Sequence, residues 1–371
     1  MHEIKSIPKT QFAWITHQPG KLRLREIDVA NPGKGEILIK IEYSGLCHTD
    51  IHIIEGDCSM PQGAYPLISG HEGVGRVVKI GDDVHDIEMG DPVGIHILYS
   101  CDYCFTKNIA SCLKAKFVGV HVGGAHQQYA IAEAKYIARI PKELPLALAA
   151  PVMCGGLTSY SALKDLDVLP GQWVAISGAG GGLGHLGVQY AKALGYRVIA
   201  VDGGEMKRKV LTRLKDPLLS SFFKFVLSLG ADHFIDYKTD DHITQVRNLS
   251  TGGVQALIVF SSHASAYEHV FEYLRPRGTV VVAGVPPDGT MQIDVFTYAT
   301  SAFTTKGILV GTATYLNEAL DYVVRGIVKP YYHLLPFSKL PQAIDALKMS
   351  KVTGRIVLDL TQEKPVSQAR L

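Results

Sequence analysis

The sequence predicts an α/β protein in which a doubly wound parallel sheet is inserted into a domain built mainly of β-strands. Up to about Met153 the chain is rich in short strand-like runs and turns, and from Thr158 onward strand-like runs alternate with helical ones. A glycine-rich turn, Gly178 to Gly184, joins the first of these later strands to a helix. The 371 residues, 47% of them hydrophobic, suffice for about two domains with substantial cores.

The first part of the chain is predicted to be all-β. Glu36 to Glu42 and Gly75 to Lys79 have the composition of strands, and Asn31-Pro32-Gly33 and Gly90-Asp91-Pro92 have that of turns. The chain is expected to return to this domain near Ser301.

Cys47, His71 and Cys154 form a candidate metal-ligand set in this first part. Zinc in catalytic sites is held by a few protein ligands with one position open, and two thiolates with one imidazole are a known combination. Glycines on both sides of His71 allow a tight turn there. A lone cysteine is usually a small buried hydrophobe and a lone histidine a hydrogen-bonded core residue, so spacing alone leaves both interpretations open.

The glycine turn has the setting of a dinucleotide site. A strand (Trp173 to Ser177) precedes it, a helix (His185 to Leu194) follows, and a second strand (Arg197 to Val201) ends at Asp202. Such a turn lets the backbone approach a pyrophosphate at the helix N-terminus, and the acidic residue accepts hydrogen bonds from the adenosine ribose. The turn is one residue longer than the strict Gly-x-Gly-x-x-Gly pattern. The prediction therefore depends on the strand, the helix and the acidic residue that surround the turn.

Three later segments continue the alternation of strands and helices. They are a strand at Ala256 to Phe260, a helix at Ser265 to Leu274 and a strand at Gly278 to Ala283. They predict that the parallel sheet extends beyond the first β-turn-α-β unit.

Composition excludes several classes of function. A formal net charge of +2 is too small to indicate nucleic acid or an anionic membrane as a partner. The uncharged stretch from Val174 to Tyr190 is interrupted by glycines, so no membrane span is predicted, and the N-terminus lacks the apolar core of a secretory signal. Six cysteines with ligand-like spacings fit metal binding in a reducing compartment, so a cytoplasmic location is expected.

Several segments together resemble one family, the zinc-dependent medium-chain alcohol dehydrogenases, and most closely the yeast and fungal enzymes. The resemblance runs from Gly20-Lys21-Leu22 to Gly354-Arg355-Ile356-Val357. Its most specific segments are Tyr43-Ser44-Gly45-Leu46-Cys47-His48-Thr49-Asp50, Gly70-His71-Glu72-Gly73, Trp173-Val174-Ala175-Ile176-Ser177-Gly178, Val188-Gln189-Tyr190-Ala191-Lys192-Ala193 and Asp202-Gly203-Gly204-Glu205. The resemblance implies a GroES-like catalytic domain (residues 1–157), an inserted Rossmann NAD-binding domain (158–300), and a segment (301–371) that ends the nucleotide sheet and returns to the catalytic domain.

The resemblance also implies roles for individual residues. Zinc held by Cys47, His71 and Cys154 would bind the alcohol oxygen as a Lewis acid, so that an alkoxide forms near neutral pH and hydride leaves for the nicotinamide. Thr49 would take the first proton and His52 would pass it to solvent. Asp50 would orient His71, and Glu72 would approach the metal during ligand exchange. The implied cofactor-binding residues are His48 and Arg355 at the pyrophosphate, Thr158 at the nicotinamide, the turn residues Gly180, Gly181, Gly182, Leu183 and Gly184, and Asp202, Lys207 and Val285.

Interpretations without a catalytic or binding role are also open for Thr49, His52 and Arg355. Thr49 would be a capping threonine, His52 a surface histidine, and Arg355 a solvated basic residue near a C-terminus. The family context favours the functional ones.

Asp202 favours NAD over NADP, because a carboxylate binds both ribose hydroxyls and repels a 2′-phosphate. Against this stands the basic cluster Lys207-Arg208-Lys209, which could tolerate a phosphate.

A cysteine-rich lobe, residues 98–112, departs from the family. Relatives hold a second, structural zinc there with four cysteines, whereas this chain supplies Cys101, Cys104 and Cys112. Either His96 or Asp102 completes the set, or the site is empty with reduced thiols. The plainest alternative is a surface loop.

A second departure is an insertion, Val210 to Phe225, containing Pro217, which would interrupt a continuous helix. Three interpretations stay open: a surface excursion near the adenosine end, a partner contact made by Phe222 and Phe223, or an error in gene prediction.

The third departure concerns the substrate. Cys58 and Ile97 stand where the yeast ethanol enzymes carry tryptophan, and Val285 stands at a pocket methionine. The lost volume predicts a preference for alcohols or aldehydes bulkier than ethanol.

Two alternatives to this function remain open from the sequence. A zinc-free enone or quinone reductase of the same superfamily would lack the metal ligands, and an inactive nucleotide-binding scaffold would not need the Thr49 and His52 relay. By analogy with relatives, a homotetramer or homodimer is expected to form through the edge of the nucleotide domain at Ser301 to Gly311.

Overall fold

The computed structural model describes residues 6–58, 60–101, 104, 112–203, 222–238, 241–286 and 288–362. Its strands are β1 (Thr10–Thr16), β2 (Leu22–Asp28), β3 (Glu36–Leu46), β4 (Leu67–Ile68), β5 (Glu72–Ile80), β6 (Pro92–Ile95), β7 (Leu98–Tyr99), β8 (Lys116–Phe117), β9 (Tyr129–Glu133), β10 (Ile137–Arg139), β11 (Trp173–Ser177), β12 (Arg197–Asp202), β13 (His233–Asp236), β14 (Val254–Val259), β15 (Leu274–Val282), β16 (Thr304–Gly307), β17 (Tyr332–Pro336) and β18 (Arg355–Asp359). Its α-helices are α1 (His48–Glu55), α2 (Leu146–Ala149), α3 (Gly155–Lys164), α4 (Gly184–Ala193), α5 (Phe222–Ser228), α6 (His242–Leu249), α7 (Val295–Thr300), α8 (Ala313–Val324) and α9 (Leu340–Lys348).

The first part of the chain folds around a sheet with the strand order β10-β6-β5-β3-β18-β17, with β9 paired to β3. Its neighbours are antiparallel except for β17 and β18. Ile37, Ile39 and Ile41 are buried on β3, at the alternating spacing by which a strand presents one face. Both strands predicted here lie within observed strands, β3 and β5, so this part is built mainly of β-strands as predicted, with α1 and α2 as additional helices.

The second sheet is entirely parallel, with the order β13-β12-β11-β14-β15-β16. The chain starts at β11, builds outward through β12 and β13, and then crosses to β14 on the other side. This reversal is the switch point at which open α/β sheets bind ligands, outside the carboxyl ends of the strands. The doubly wound sheet is therefore confirmed, and its switch point lies between β11 and β14.

The chain re-enters the first sheet through its last strands. β16 still belongs to the parallel sheet, whereas β18 pairs with β3 in an antiparallel register that places Ile356 opposite Leu46. Trp14 adds a long-range link, since its indole N–H donates to the Phe337 carbonyl over 3.0 Å. Early and late segments of the chain thus meet twice, through the pairing of β3 with β18 and through the contact of β1 with Phe337.

The helix predicted at Ser265 to Leu274 is wrong. The chain there forms two short 3₁₀ turns, Ala264–Tyr267 and Val270–Tyr273, separated by His269 at φ 57°. A left-handed residue interrupts any α-helix. The apolar residues that suggested a helix, among them Tyr267 and Phe271, are nevertheless buried. The spacing of the apolar residues therefore identified the buried face of this segment, but not that the segment forms 3₁₀ turns.

The described end of the insertion is part of the core. Phe222 opens α5 and is 1% exposed, whereas Phe223 is 48% exposed. The Phe222 ring occupies the space where a side chain at Gly180 would lie, and it contacts the Phe234 ring edge-on with centroids 6.0 Å apart. The idea that both phenylalanines make a partner contact is therefore wrong for Phe222. Residues 210–221, including Pro217, lie outside the described residues.

Among the described residues, no single helix is both long and apolar enough to cross a membrane. One pair bent by 51°, Leu146–Val152 with Gly155–Lys164, meets the criteria of length and composition together.

Phe222→Ala is expected to lower the free energy of unfolding by about 3–5 kcal/mol, the usual cost of emptying a buried aromatic site. Phe223→Ala, the matched control, is expected to cost less than about 1.5 kcal/mol because half of its side chain is exposed. Denaturant unfolding of the two variants measures the difference. Equal costs would show that α5 does not pack against the glycine turn.

Candidate zinc and dinucleotide site

Three structural elements deliver the predicted metal ligands to one place. Cys47 follows β3 and caps α1, His71 directly precedes β5, and Cys154 caps α3. Together with Glu72, their ligand atoms all lie within 4.8 Å of one another, and all four residues are buried. The interpretation of each as an isolated core residue is therefore wrong, since spacings of tens of residues close into one cluster.

Asp50 positions this cluster. Its carboxylate, which is fully buried, receives hydrogen bonds from His71 Nδ1 (2.8 Å), the Gly70 N–H (3.1 Å) and the Cys47 N–H (3.0 Å). Burial opposes the charged form, but the charge and hydrogen bond of His71 lower the pKa of Asp50. Asp50 therefore fixes the ring of one ligand and the backbone of another.

The donor set fits a zinc ion. Among the described residues, the buried His71 Nε2 has no hydrogen-bond partner, because Nδ1 is the nitrogen that faces Asp50. A buried ring nitrogen left open beside two thiols is what a metal ligand requires. Hydrogen bonding from Cys154 lowers the pKa of Cys47 well below the usual thiol value, with the charges of Arg355 and His71 acting in the same direction against burial. One thiolate is thus favoured even before a metal binds.

Glu72 and Arg355 form a buried ion pair beside the ligands. Burial raises the pKa of Glu72 to about 7, although the Arg355 charge opposes the rise. The second carboxylate oxygen of Glu72 has no hydrogen-bond partner in the part of the chain that the structure describes. Arg355 is 4% exposed, so its interpretation as a solvated C-terminal residue is wrong.

Gly45 is a site residue that the sequence motifs did not identify. A side chain there would overlap the Glu72 carboxylate, so only glycine on β3 leaves room for it. Gly45 lies in the Ser44-Gly45-Leu46 segment of the sequence motif. Its pairing with Glu72 depends on the strand register, which is seen only in the folded sheet.

Helix α1 leads from the metal ligands toward the surface. The Thr49 hydroxyl lies 3.7 Å from Cys47 Sγ, and His52 Nδ1 lies 2.7 Å from Asp57 Oδ1 in a partly exposed pair. His48 is half-buried, and burial lowers its pKa. Hydroxyl and imidazole groups therefore run from the buried cluster to solvent along one short helix.

The glycine turn begins α4 as predicted. A side chain at Gly184 would overlap the Gly178 backbone, so helix and turn can touch only because this residue is glycine. At Gly182 an added Cβ would lie 2.9 Å from Arg355 Nη1, so the arginine of β18 faces the turn. Gly181 donates to the Gly178 carbonyl over 2.9 Å, and Leu183 caps the helix.

Gly180 also serves packing, besides the cofactor-binding role predicted for the turn. Its missing side chain makes room for Phe222, so this glycine serves packing between the turn and α5. Its N–H donates to Asp202 Oδ2 over 2.8 Å.

Asp202 ends β12 beside the turn, as predicted. Its other oxygen accepts from the Gly203 N–H over 2.7 Å. Thr158 lies buried on α3, one turn from Cys154, whose carbonyl accepts the Thr158 N–H over 2.8 Å. Val285 follows β15 and is 65% exposed. Lys207 lies outside the described residues.

The two predicted substrate-pocket residues differ in environment. Ile97 is buried in the apolar cluster that contains Cys47 and Cys154, whereas Cys58 is exposed with its sulfur 3.6 Å from that of Met60. Ile97 therefore belongs to the same buried core cluster as two of the candidate ligands, and Cys58 lies on an exposed segment after α1.

The lobe cysteines form a second cluster. The sulfurs of Cys101, Cys104 and Cys112 lie within 4.8 Å of one another. The interpretation of the lobe as a plain surface loop does not account for this clustering. His96 is not in this group, because its Nδ1 faces the backbone of Leu98 at 3.1 Å. The prediction that His96 completes the set is therefore wrong. Asp102 lies outside the described residues.

Comparison with known proteins agrees with this geometry. The alcohol dehydrogenase GroES-like domain matches residues 33–142, and the zinc-binding dehydrogenase domain matches residues 182–325. An alcohol dehydrogenase of Schizosaccharomyces pombe is 40% identical over 96% of this chain and 100% of its own length, and alcohol dehydrogenase 1 of Emericella nidulans is 38% identical with the same coverage. The structure of acetophenone reductase from Geotrichum candidum in complex with NAD is similar with a TM-score of 0.81 at 26% identity, covering 96% of this chain and 98% of that one. The GroES-like and nucleotide-binding fold predicted from the sequence is thereby confirmed. The chain therefore belongs to the medium-chain, zinc-binding alcohol dehydrogenase family, and it is an oxidoreductase that acts on CH–OH groups.

Proposed function

We propose that this protein is a zinc- and NAD-dependent dehydrogenase that interconverts alcohols with aldehydes or ketones. The observation that carries the proposal is the buried convergence of Cys47, His71 and Cys154, with His71 Nε2 left without a partner. A zinc ion supplies Lewis-acid chemistry that lowers the pKa of an alcohol hydroxyl. Both domain boundaries are proposed as in the resemblance, at about residues 157 and 300.

The residues around the ligands have distinct tasks in this proposal. Asp50 accepts a hydrogen bond from His71 Nδ1, which holds the ring so that Nε2 faces the thiols. The same hydrogen bond raises the basicity of the ring. Glu72, whose pKa of about 7 lies far above the usual value, stays held by Arg355 beside the ligands, where it can approach the metal during ligand exchange.

Proton removal is proposed to follow α1. The Thr49 hydroxyl would accept the substrate hydroxyl proton and release its own proton toward the cofactor ribose, and His52, whose ring Asp57 holds, would release a proton to solvent. An apolar environment around Cys47 and Cys154 keeps water from competing for the site.

NAD is proposed as the coenzyme, with its pyrophosphate at the N-terminus of α4 between the glycine turn and the side chains of Arg355 and His48. The Asp202 carboxylate sits at the end of β12 where a ribose would arrive, and it would repel a 2′-phosphate. The relative solved with NAD supports this choice.

A homo-oligomer is proposed to form at the edge strand β16. Among the described residues, the neighbouring Val295 and Phe296 on α7 are large apolar side chains facing solvent, with exposures of 81% and 75%. The six cysteines are all free thiols, which supports the proposed location in the reducing cytoplasm.

Cys154→Ala is expected to remove one equivalent of zinc per chain and to lower kcat/KM for alcohol oxidation by at least about 10³-fold, because Lewis-acid activation is lost. His71→Gln is the second variant, and NAD binding measured by fluorescence shows that the nucleotide domain remains folded. Metal-stripped wild-type protein that still reduces an enone with NADPH would instead establish the zinc-free reductase.

Asp202→Asn is expected to shift the ratio of kcat/KM for NADP over NAD upward by roughly 10–100-fold, since one charge–phosphate repulsion and one charged hydrogen bond are worth about 1–3 kcal/mol together. Asp236→Asn, at the paired position of the next strand, is the control for a general loss of negative charge. A ratio that changes equally in both variants would contradict the role of Asp202.

Specificity is expected to favour alcohols longer than ethanol, with kcat/KM rising about fourfold for each methylene that the pocket buries. Ile97→Trp is expected to reverse this trend by refilling the lost volume beside Cys47 and Cys154, whereas Cys58→Trp, on an exposed segment, leaves the trend unchanged. Steady-state kinetics with ethanol, propanol, butanol and hexanol measure the trend. A steady fall in wild-type kcat/KM from ethanol onward would contradict the prediction.

A further inference from the structure

Two buried polar side chains on α4 have no part in the proposed reaction. His185 and Gln189 are four residues apart, so they lie on the same face of the helix. Both are buried, in a helix whose other buried residues include Leu186 and Val188. A buried polar group is costly unless it is hydrogen-bonded. The partners of these two side chains therefore show what this face of α4 holds.

Gln189 holds Lys329, which belongs to the segment that leads into β17. Its Nε2 donates to the Lys329 carbonyl over 3.1 Å, and its Oε1 accepts the Lys329 N–H over 2.8 Å. The other Nε2 hydrogen is donated to the His185 carbonyl over 2.9 Å. One side chain thus satisfies both backbone groups of Lys329, as a neighbouring strand would do.

His185 joins the glycine turn to Tyr331 of the same segment. The Tyr331 N–H donates to Nε2 over 3.1 Å. Because Nε2 accepts, Nδ1 carries the proton and donates to the Gly181 carbonyl over 2.9 Å. Burial lowers the pKa of His185 to about 4, which keeps the ring in this neutral form at neutral pH. Both ring nitrogens are occupied by backbone groups, so neither is left to bind a ligand.

The same segment fixes the backbone of Arg355. The Tyr331 carbonyl accepts the Arg355 N–H over 2.9 Å, and the Gly354 N–H donates to the Gly180 carbonyl over 3.2 Å. A side chain at Gly354 would overlap the Tyr331 carbonyl, so the two chain segments approach closely at this point. Tyr331 therefore connects α4, through its N–H, with the start of β18, through its carbonyl.

We propose that His185 and Gln189 are positioning residues that fasten residues 329–331 to α4 and thereby hold the Arg355 guanidinium at the glycine turn for the coenzyme pyrophosphate. The inference rests on the proposed function, since it requires a dinucleotide at that turn.

The position of Arg355 relative to the turn is not fixed by either sheet alone. Arg355 is on β18 of the first sheet, whereas the turn follows β11 of the parallel sheet. The hydrogen bonds from α4 to Lys329 and Tyr331 cross between these two sheets next to the arginine. Charged hydrogen bonds to a phosphate depend on geometry, so a shift of the guanidinium would weaken pyrophosphate binding.

Calorimetric binding of ADP-ribose and of adenosine to the full-length protein tests this role. His185→Asn keeps a donor near the place of Nδ1 but loses the acceptor at Nε2, and Gln189→Met loses both hydrogen bonds to Lys329. Each variant is expected to weaken ADP-ribose binding about tenfold, part of what a charged hydrogen bond contributes, and adenosine binding less than about twofold. Adenosine lacks the pyrophosphate, so its retained affinity shows that the nucleotide domain is folded.

Two further variants are matched controls. His185→Gln places an amide oxygen near the place of Nε2 and is expected to bind ADP-ribose within about threefold of the wild type. Tyr190→Phe also removes a buried hydrogen bond from α4, but that bond goes to the Ala319 carbonyl on α8. Its affinity for ADP-ribose is therefore expected to be unchanged.

A double-mutant cycle shows whether His185 acts through Arg355. In an Arg355→Met background, or in Arg355→Lys should the first not fold, His185→Asn is expected to weaken ADP-ribose binding by less than about twofold more.

The outcomes separate this inference from the proposed function. A wild type that binds neither ADP-ribose nor NAD would overturn both. If the wild type binds them, the inference alone is overturned by unchanged ADP-ribose affinity in His185→Asn and Gln189→Met, or by an equal loss of adenosine affinity in both. It is also overturned if Tyr190→Phe or His185→Gln loses as much ADP-ribose affinity as His185→Asn, or if the loss in His185→Asn persists in full in the Arg355 variant.

Discussion

The whole site depends on one buried carboxylate, that of Asp50. Three hydrogen bonds converge on it, from the ring of His71 and from the backbone of Gly70 and Cys47. A charged group without solvent is tolerated only when it is paired in this way, and removing one partner of such a pair costs about 3–5 kcal/mol. The carboxylate therefore ties the helix that starts at Cys47 to the turn that carries His71. Both ligands keep their positions for the same reason.

The ion pair of Glu72 and Arg355 extends this arrangement to the nucleotide domain. Arg355 is on β18 of the first sheet, yet its guanidinium lies close to Gly182 of the glycine turn. One cation thus serves the carboxylate beside the metal ligands and the place where a pyrophosphate would arrive. Among the described residues, one carboxylate oxygen of Glu72 has no hydrogen-bond partner, and Gly45 leaves the space that this carboxylate occupies. The region therefore accommodates a buried charge in addition to apolar packing.

Much of this arrangement follows from the sequence because it is local. The strand, glycine turn and helix around Gly178 and the acidic end of β12 are encoded by neighbouring residues, and the structure reproduces them within a residue or so. What escaped prediction depends on contacts across the fold. The helix predicted after Ala264 became two 3₁₀ turns because His269 takes a left-handed conformation, and Phe222 became a core residue because Gly180 leaves space for its ring. His96 looked like a ligand by proximity in sequence, but its backbone contact with Leu98 holds it elsewhere.

The pairing of β18 with β3 has a consequence for the order in which the chain can fold. The parallel sheet is formed from strands between residues 173 and 307, and its contacts are closed once that stretch has been synthesised. The sheet that carries Cys47, in contrast, lacks an inner strand until Arg355–Asp359 emerges, about 300 residues after β3. Until then residues 43–46 of β3 present an unpaired strand edge beside the candidate metal ligands, and such edges are prone to aggregation. The parallel sheet can therefore form during synthesis before the sheet that carries Cys47, which is completed only after Arg355–Asp359 has been added.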